Sequence, residues 1–369
     1  EHAANGVCDI VKELGGTKAF VVTDQPLLKT GLLKPILESF EDVGVVLFSD
    51  VPSDSDIDVV NQAATQARQD GCDVVLAIGG GSVLDTAKVV NICLSLGGDI
   101  LDYQGLNNLS SPLLPLIAVP TTAGTGSEVS MVAMVKDRAE GKKLLFGSRF
   151  LAPQAAVLDP YLTLSLPPKL TAATGLDALT HAIEAYSAII SNSHFTDALC
   201  VESMRHIFEH LPRATKNGDD VEARTQMLVA STMAGVAFTN SGVGIVHALA
   251  HATGGKFGTH HGVTNSIFLP HGMHFNLDAI SARYASLARI LGISQSRSDT
   301  EAARALIDKV EALCVEVGLP RHLRDVGVPK LDRSELEELA FLTSSDPAIM
   351  FNPKDSTVED IIAIYERAY

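Results

Sequence analysis

Six histidines, His247, His251, His260, His261, His271 and His274, crowd the stretch GVGIVHALAHATGGKFGTHHGVTNSIFLPHGMH, in a chain that holds only twelve. His247 and His251 stand four apart among small and apolar residues, so on a helix they share one face, roughly 5–6 Å from each other. Upstream, ATGLDALTHAIEAY repeats the spacing with Asp177 and His181, followed by Glu184, among good helix formers. One carboxylate and several imidazoles on stacked helical faces suit a borderline divalent cation such as Fe(II), Zn(II) or Co(II). Gly254, Gly255, Gly258 and Gly262 are expected to break the second helix and to turn His260 and His261 back towards it. The site then draws on Asp177, His181 and two or three of the later histidines. Spacing alone leaves a second reading open, in which these histidines are satisfied core or cap residues.

A different chemistry is written into the first half. The apolar run 73–78 (DVVLAI) leads straight into Gly79-Gly80-Gly81-Ser82 and then into a helical segment, VLDTAKVVNICLSL. A glycine turn between strand and helix lets backbone N–H groups approach a phosphate, which the helix N-terminus favours electrostatically. The string is neither G-x-G-x-x-G nor a Walker motif. Strand 18–23 ends in Thr23-Asp24, and a carboxylate at a strand's carboxyl end can accept both ribose hydroxyls while repelling a 2′-phosphate. Asp24 could equally cap the helix that follows. LIAVPTTAGTGSE (116–128) places Thr121, Thr122, Thr125 and Ser127 after an apolar strand, as a second phosphate- or ribose-contacting loop requires and as an ordinary polar turn also would.

These residues need a scaffold. Strand-like runs at 18–23, 43–48 and 73–78 alternate with helical segments at 27–39 and 56–69, which predicts a parallel sheet with crossover helices, its strands buried on both faces. Beyond Asp159-Pro160 the spacing is helical over 170–190, 195–211, 221–237, 243–253, 278–291, 300–317, 333–343 and 357–368. The expected organisation is an α/β domain over residues 1–160 and an all-helical domain over 161–369. A chain of 369 residues with 46% hydrophobic content can fill two cores. Its net charge of −16 and pI near 5.1 argue against nucleic acid and anionic membrane surfaces as partners. No apolar run has the length of a membrane span, and no signal-peptide core precedes the first helix. Five scattered cysteines (Cys8, Cys72, Cys93, Cys200, Cys314) suggest reduced thiols in a cytoplasmic protein. The chain opens directly in what reads as a helix, as one with further residues before Glu1 would.

GGGSVLDTAK, PTTAGTGSEVS, AATGLDALTHAIEAY, GIVHALAHATGG and HHGVTNSIFLPHGMHFN, in this order and at these separations, resemble the iron-containing (group III) alcohol dehydrogenase family. The resemblance runs from about Lys18 to the C-terminus. It implies a Rossmann-like dinucleotide-binding domain followed by an all-α, dehydroquinate synthase-like domain. By it, Asp177, His181, His247 and His261 match the metal ligands, and His251 a histidine beside the nicotinamide. Gly80, Gly81, Ser82 and Asp85 match the pyrophosphate loop, Thr121, Thr122 and Thr125 the second cofactor loop. Asp24 takes the adenine-ribose position, favouring NAD over NADP, and Lys143 that of a lysine on the cofactor ribose. Val132, Phe238 and Val243 would lie beside the substrate, while His260, His271 and His274 match no ligand. The chain departs from the family pattern at Ala252 and His260, where proline is common, and at Ser53, where asparagine is.

The activity so implied is interconversion of small primary alcohols or diols and aldehydes by hydride transfer with NAD(H). The ion would be Fe2+, with Zn2+ or another divalent metal as the alternative, and would lower the alcohol's pKa. His251 would be the proton's first stop. Competing readings are a glycerol dehydrogenase- or dehydroquinate synthase-like enzyme, or a hydroxy-acid dehydrogenase of the same family, which the absence of an arginine clamp in these motifs disfavours. A metal hydrolase or a non-haem iron oxygenase would leave the two strand-end loops unexplained, and the intact ligand set argues against a binding protein that kept the fold without activity. A homodimer or higher homo-oligomer is the expected assembly.

Overall fold

A computed structural model describes residues 2–138 and 142–369, which divide into two compact units, Glu1–Leu166 and Pro167–Tyr369. The first unit begins with α1 (Val7–Glu13), β1 (Lys18–Val22), α2 (Gln25–Lys29), α3 (Lys34–Glu38) and β2 (Gly44–Phe48). It continues with α4 (Ile57–Gln69), β3 (Val74–Gly79), α5 (Gly81–Leu96), β4 (Gly105–Leu106) and β5 (Leu116–Pro120), then β6 (Val132–Asp137), β7 (Lys142–Gly147) and β8 (Ala155–Ala156). Five strands form a parallel sheet in the order β2-β1-β3-β5-β8.

Alternation sorts the strand residues between two cores. Phe20, Val22, Val75, Ala77 and Ala118 face the side packed with Val60, Ala64, Val83 and Ala87 of α4 and α5. Ala19, Val21, Val74, Leu76, Ile78, Ile117 and Val119 face Val7, Val11 and Ile36 of α1 and α3. Both faces are covered, which is why β1, β3 and β5 read as unbroken apolar runs. The single helix expected over 27–39 is two short ones. Gly31 sits between them at φ 77, a left-handed conformation that ends a helix, and Pro35 is tolerated only in the first turn of a new one.

A second, three-stranded sheet, β4-β7-β6, has β6 and β7 antiparallel in the register Met134↔Leu145 and Lys136↔Lys143. The strand reading above leaves this segment unassigned, because VAMVKD and KKLLFG mix lysines with apolar residues and lack a long run. It is held to α5 by Lys88, whose fully buried ammonium donates to Ser130 O, Ser130 Oγ and Val132 O, each at 2.9 Å.

The second unit contains α6 (Pro168–Ser187), α7 (His194–Lys216), α8 (Val221–Ser241), α9 (Ile245–Phe257), α10 (His261–Ile290), α11 (Asp299–Glu316), α12 (Arg333–Ser344) and α13 (Val358–Ala368), and no strand among the described residues. α6 is buried on every side from Gly175 to Ser187, as a central bundle helix must be. α10 is longer than the 278–291 segment expected. It begins at His261, carries Pro270 internally, and bends at Ile280 (φ −132, ψ 26). No single helix among the described residues is long and apolar enough to cross a membrane. All five cysteines are buried thiols.

Candidate active site

Three helices each bring a polar pair or triplet at helical spacing to one place in the second unit. α6 supplies Asp177, His181 and Glu184, α9 supplies His247 and His251, and α10 supplies His261 and, one turn on, Asn265. Of the glycines expected to break the helix, Gly258 does so, ending α9 as a left-handed cap at φ 68, while Gly254 and Gly255 remain helical. Gly262 has another purpose. A Cβ there would lie 2.4 Å from the carbonyl oxygen of Ala173 and 3.4 Å from Asp177 Cβ, so its absence lets α10 press its first turn onto α6.

Asp177 Oδ1 is 3.5 Å from His261 Nε2 and 3.9 Å from His247 Nε2, and one ligand atom from each of the three lies within 4.8 Å of the others. Bonds of about 2.0–2.2 Å to an ion such as Zn2+ put ligand atoms roughly 3–4 Å apart, so the trio is near the spacing a divalent cation requires. The donor chemistry agrees. Burial would raise the Asp177 carboxyl, but His181, His261, His247 and the Asn265 amide outweigh it and hold the group at about 2. Asn265 Nδ2 faces all three ligand atoms, 2.7 Å from Asp177 Oδ1 and 3.2 Å from each Nε2, while its buried carbonyl oxygen makes no hydrogen bond. A polar side chain with its positive end turned on three acceptors marks the point where a cation belongs.

His181 lies face to face with one member of this group. Its ring stacks on His247 (centroids 4.5 Å apart, 30°) and on Phe238 (4.3 Å, 19°), so the trio is drawn together and the fourth expected ligand flanks it. His251 stacks on His261 at 5.3 Å and is tied through Nδ1 to Asp346 Oδ2 at 2.9 Å. Val243 stands in the α8–α9 connection, half-buried. His260 is exposed ahead of α10, its carbonyl accepting from Thr264, and lies outside the trio. Ala252 is buried within α9, which continues past it to Phe257.

In the first unit, the chain leaves β1 towards β2 on one side and re-enters at β3 on the other, so the carboxyl ends of β1 and β3 flank a switch point where α/β sheets bind ligands. Asp24 stands at one end and caps α2, Oδ1 accepting from Leu27 N–H at 2.7 Å. Gly80 and Gly81 open α5 at the other, with no side-chain cap over its first N–H groups. The two expected loops touch: a Cβ on Gly81 would lie 2.6 Å from Thr125 Cγ2, and one on Gly80 3.3 Å from Thr122 Cγ2. Thr121 N–H bonds back to Gly79 O. Ser82 Oγ donates to Ser53 O at 2.5 Å, and Lys143 Nζ is 3.7 Å from Asp54. Asp85 is fully engaged inside the protein, accepting from Ser127 Oγ at 2.7 Å and Met134 N–H at 2.9 Å. Burial drives its carboxyl up, against Lys88 and these two donors. The same burial pulls the Lys88 ammonium down to about 8 despite Asp85 and Glu128. Val132 opens β6, its carbonyl accepting from Lys88.

Residues 1–160 match the sequence profile described as "Iron-containing alcohol dehydrogenase", and residues 171–369 that described as "Fe-containing alcohol dehydrogenase family, C-terminal". The chain belongs to the iron-containing alcohol dehydrogenase family. Among members, it is 39% identical over 362 residues to the NAD-dependent methanol dehydrogenase of Bacillus methanolicus, covering 97% of this chain and 94% of that one. To the 1,3-propanediol dehydrogenase of Citrobacter freundii it is 36% identical over 373 residues, covering 100% and 95%. A crystal structure of 1,3-propanediol oxidoreductase superposes with a TM-score of 0.96 at 34% identity, covering 100% of this chain and 96% of that one. As an iron-containing alcohol dehydrogenase the chain is an NAD-dependent, metal-dependent oxidoreductase that interconverts alcohols and aldehydes.

The contacts of three polar residues at this alcohol dehydrogenase's centre are not legible in the sequence. Asn265 carried a usable signal, the i,i+4 spacing from His261, which was hidden while 260–262 read as a glycine-broken turn. Glu184 was visible beside Asp177 and His181 but without a partner; the structure places it against His247. Asp346 lies 95 residues from His251, and no local pattern connects them.

Proposed function

We propose that Asp177, His247 and His261, with His181 alongside, hold Fe2+ and that this enzyme oxidises short primary alcohols or diols with NAD+, or reduces the corresponding aldehydes with NADH. The observation that carries the reading is the convergence of one buried carboxylate oxygen and two imidazole nitrogens in a chain of this family. Bound there, the ion supplies Lewis acidity that lowers the alcohol's pKa and polarises the aldehyde carbonyl, and NAD supplies the hydride acceptor. The first unit is assigned the cofactor: Gly80, Gly81 and Ser82 offer uncapped N–H groups to the pyrophosphate, Thr121, Thr122 and Thr125 form the second wall, and Asp24 reads the adenine ribose through the oxygen that does not cap α2. Asp85 supports the cofactor indirectly, by holding Ser127 and β6 in place. Lys143 is assigned to the cofactor ribose. The second unit is assigned the ion and the chemistry. His251, kept upright by Asp346, passes the substrate proton outward. Phe238 and Val243 of the second unit are assigned to an apolar substrate pocket, Val132 of the first unit keeps its substrate assignment from the family resemblance alone, and the relatives named for methanol and 1,3-propanediol make short unbranched substrates the first candidates. A cytoplasmic homodimer or higher homo-oligomer completes the assignment.

The test is anaerobic NADH oxidation with a panel of short aldehydes on chelator-stripped enzyme re-supplied separately with Fe(II) and Zn(II). Turnover restored by Fe(II) and lost in His261→Ala is the expected result. Normal NADH binding with no turnover under any metal would refute it.

A further inference from the structure

α9 begins without a cap of its own. Its N-cap is Gly244, which has no side chain, and the N–H groups of its first turn are met from elsewhere. Asn352 Oδ1 accepts from Ile245 N–H at 3.3 Å, and Glu184 Oε1 accepts from Val246 N–H at 2.7 Å. The other oxygen of Glu184 accepts from His247 Nδ1 at 2.5 Å, with both side chains at most 6% exposed. Gly244 makes room for this clamp, since a Cβ there would stand 3.1 Å from Glu184 Oε1.

We infer that Glu184 is a positioning residue for the metal centre: by taking the proton side of His247 Nδ1, it leaves the Nε2 lone pair aimed at Asp177 and His261. A buried imidazole has one donor and one acceptor nitrogen when neutral, and whichever bond the outer nitrogen makes selects the one left to bind a metal. Glu184 is suited to the task because its second oxygen is anchored to the backbone one residue before His247. The carboxylate therefore fixes the ring and the start of its helix together. α6 thus contributes twice, with Asp177 facing the ion and Glu184, two turns on, behind the histidine of the facing helix. The inference rests on His247 being a metal ligand, and the experiment separates the two.

Glu184→Gln keeps the shape, and its amide oxygen can still cap Val246. Its NH2 must then face His247 Nδ1, which forces the proton onto Nε2. The expected result is a 10- to 100-fold weaker Zn(II) affinity in chelator competition, with the melting temperature of the metal-free protein little changed. Nitrogen-15 spectra of histidine-labelled, metal-free enzyme should show His247 as the Nδ1–H tautomer in the unaltered protein and Nε2–H in the variant. Wild-type affinity in Glu184→Gln, with affinity lost in His247→Ala, overturns the inference and leaves the ligand reading intact. Wild-type affinity in His247→Ala as well overturns both. Should Glu184→Gln not fold, an Nε2–H tautomer for His247 in the unaltered protein is by itself sufficient to refute the proposal.

Discussion

Replacing Gly262 by alanine tests whether the approach of α10 to α6 sets the metal centre. The added Cβ would start 2.4 Å from Ala173 O and 2.9 Å from its carbonyl carbon, both backbone atoms that cannot rotate away. Ordinary contact begins near 3.4 Å, so the first turn of α10 has to retreat by about 1 Å. His261 is the residue before Gly262 and Asp177 lies one turn beyond Ala173, so the 3.5 Å between His261 Nε2 and Asp177 Oδ1 opens by a similar amount. Metal–ligand bonds tolerate about 0.2 Å, and a ligand displaced by 1 Å no longer binds. Metal affinity should therefore fall by about 100-fold or more, equivalent to ~2.7 kcal/mol. The metal-free protein should suffer less, because overpacking costs ~1–3 kcal/mol and alanine returns ~1 kcal/mol of helix propensity. Chelator competition with Zn(II), beside melts with and without metal, separates the two effects. An unaltered Zn(II) affinity in a folded Gly262→Ala protein would refute the packing argument.

Gly81→Ala brings a methyl to 2.6 Å from Thr125 Cγ2 and should prise the two strand-end loops apart, weakening NADH binding about tenfold (~1.4 kcal/mol) in a fluorescence titration; unchanged binding would disconnect these loops from the cofactor. Lys88→Met strands three acceptors, two of them in buried bonds, and should lower stability by about 3 kcal/mol in urea unfolding, whereas a loss under 1 kcal/mol would mean that the ammonium is not needed to hold β6. Burial first, then Arg367, His274, His322 and Arg321, push His271 from 6.5 down to about 4. Between those values the unfolded chain takes up a proton that the folded chain refuses, so stability falls as pH drops from 6.5 to 4. His271→Gln should flatten the dependence of melting temperature on pH in that window, and an unchanged slope would assign the acid sensitivity to other groups.

Periodicity and local motif carried a large share of the information in this chain. Apolar strands buried on both faces could be read as a parallel sheet because continuous Val/Ile runs have few other uses, and the glycine turn after β3 announced an uncapped helix start. Asp177/His181 and His247/His251 were legible because helical spacing alone puts each pair on one face. The antiparallel β6–β7 hairpin was not, since its lysines are accommodated by partners far off in sequence, Asp54 among them. The break at Gly31 and the start of α10 at His261 were also missed, because glycine can end a helix or permit two helices to touch, and the sequence does not say which.

What tertiary structure decided is the pairing between helices. Spacing puts Asp177 and His181 on one helical face, but only the fit of Gly262 against Ala173 brings His261 within 3.5 Å of that carboxylate. Glu184 and Asp346 each find a histidine 63 and 95 residues away, and Asn265 turns its amide on three ligands from three helices. Local sequence determines which residue types recur on a face, because backbone geometry is local. Which faces meet, and which imidazole nitrogen is left to bind an ion, depends on contacts that exist only once the helices have packed.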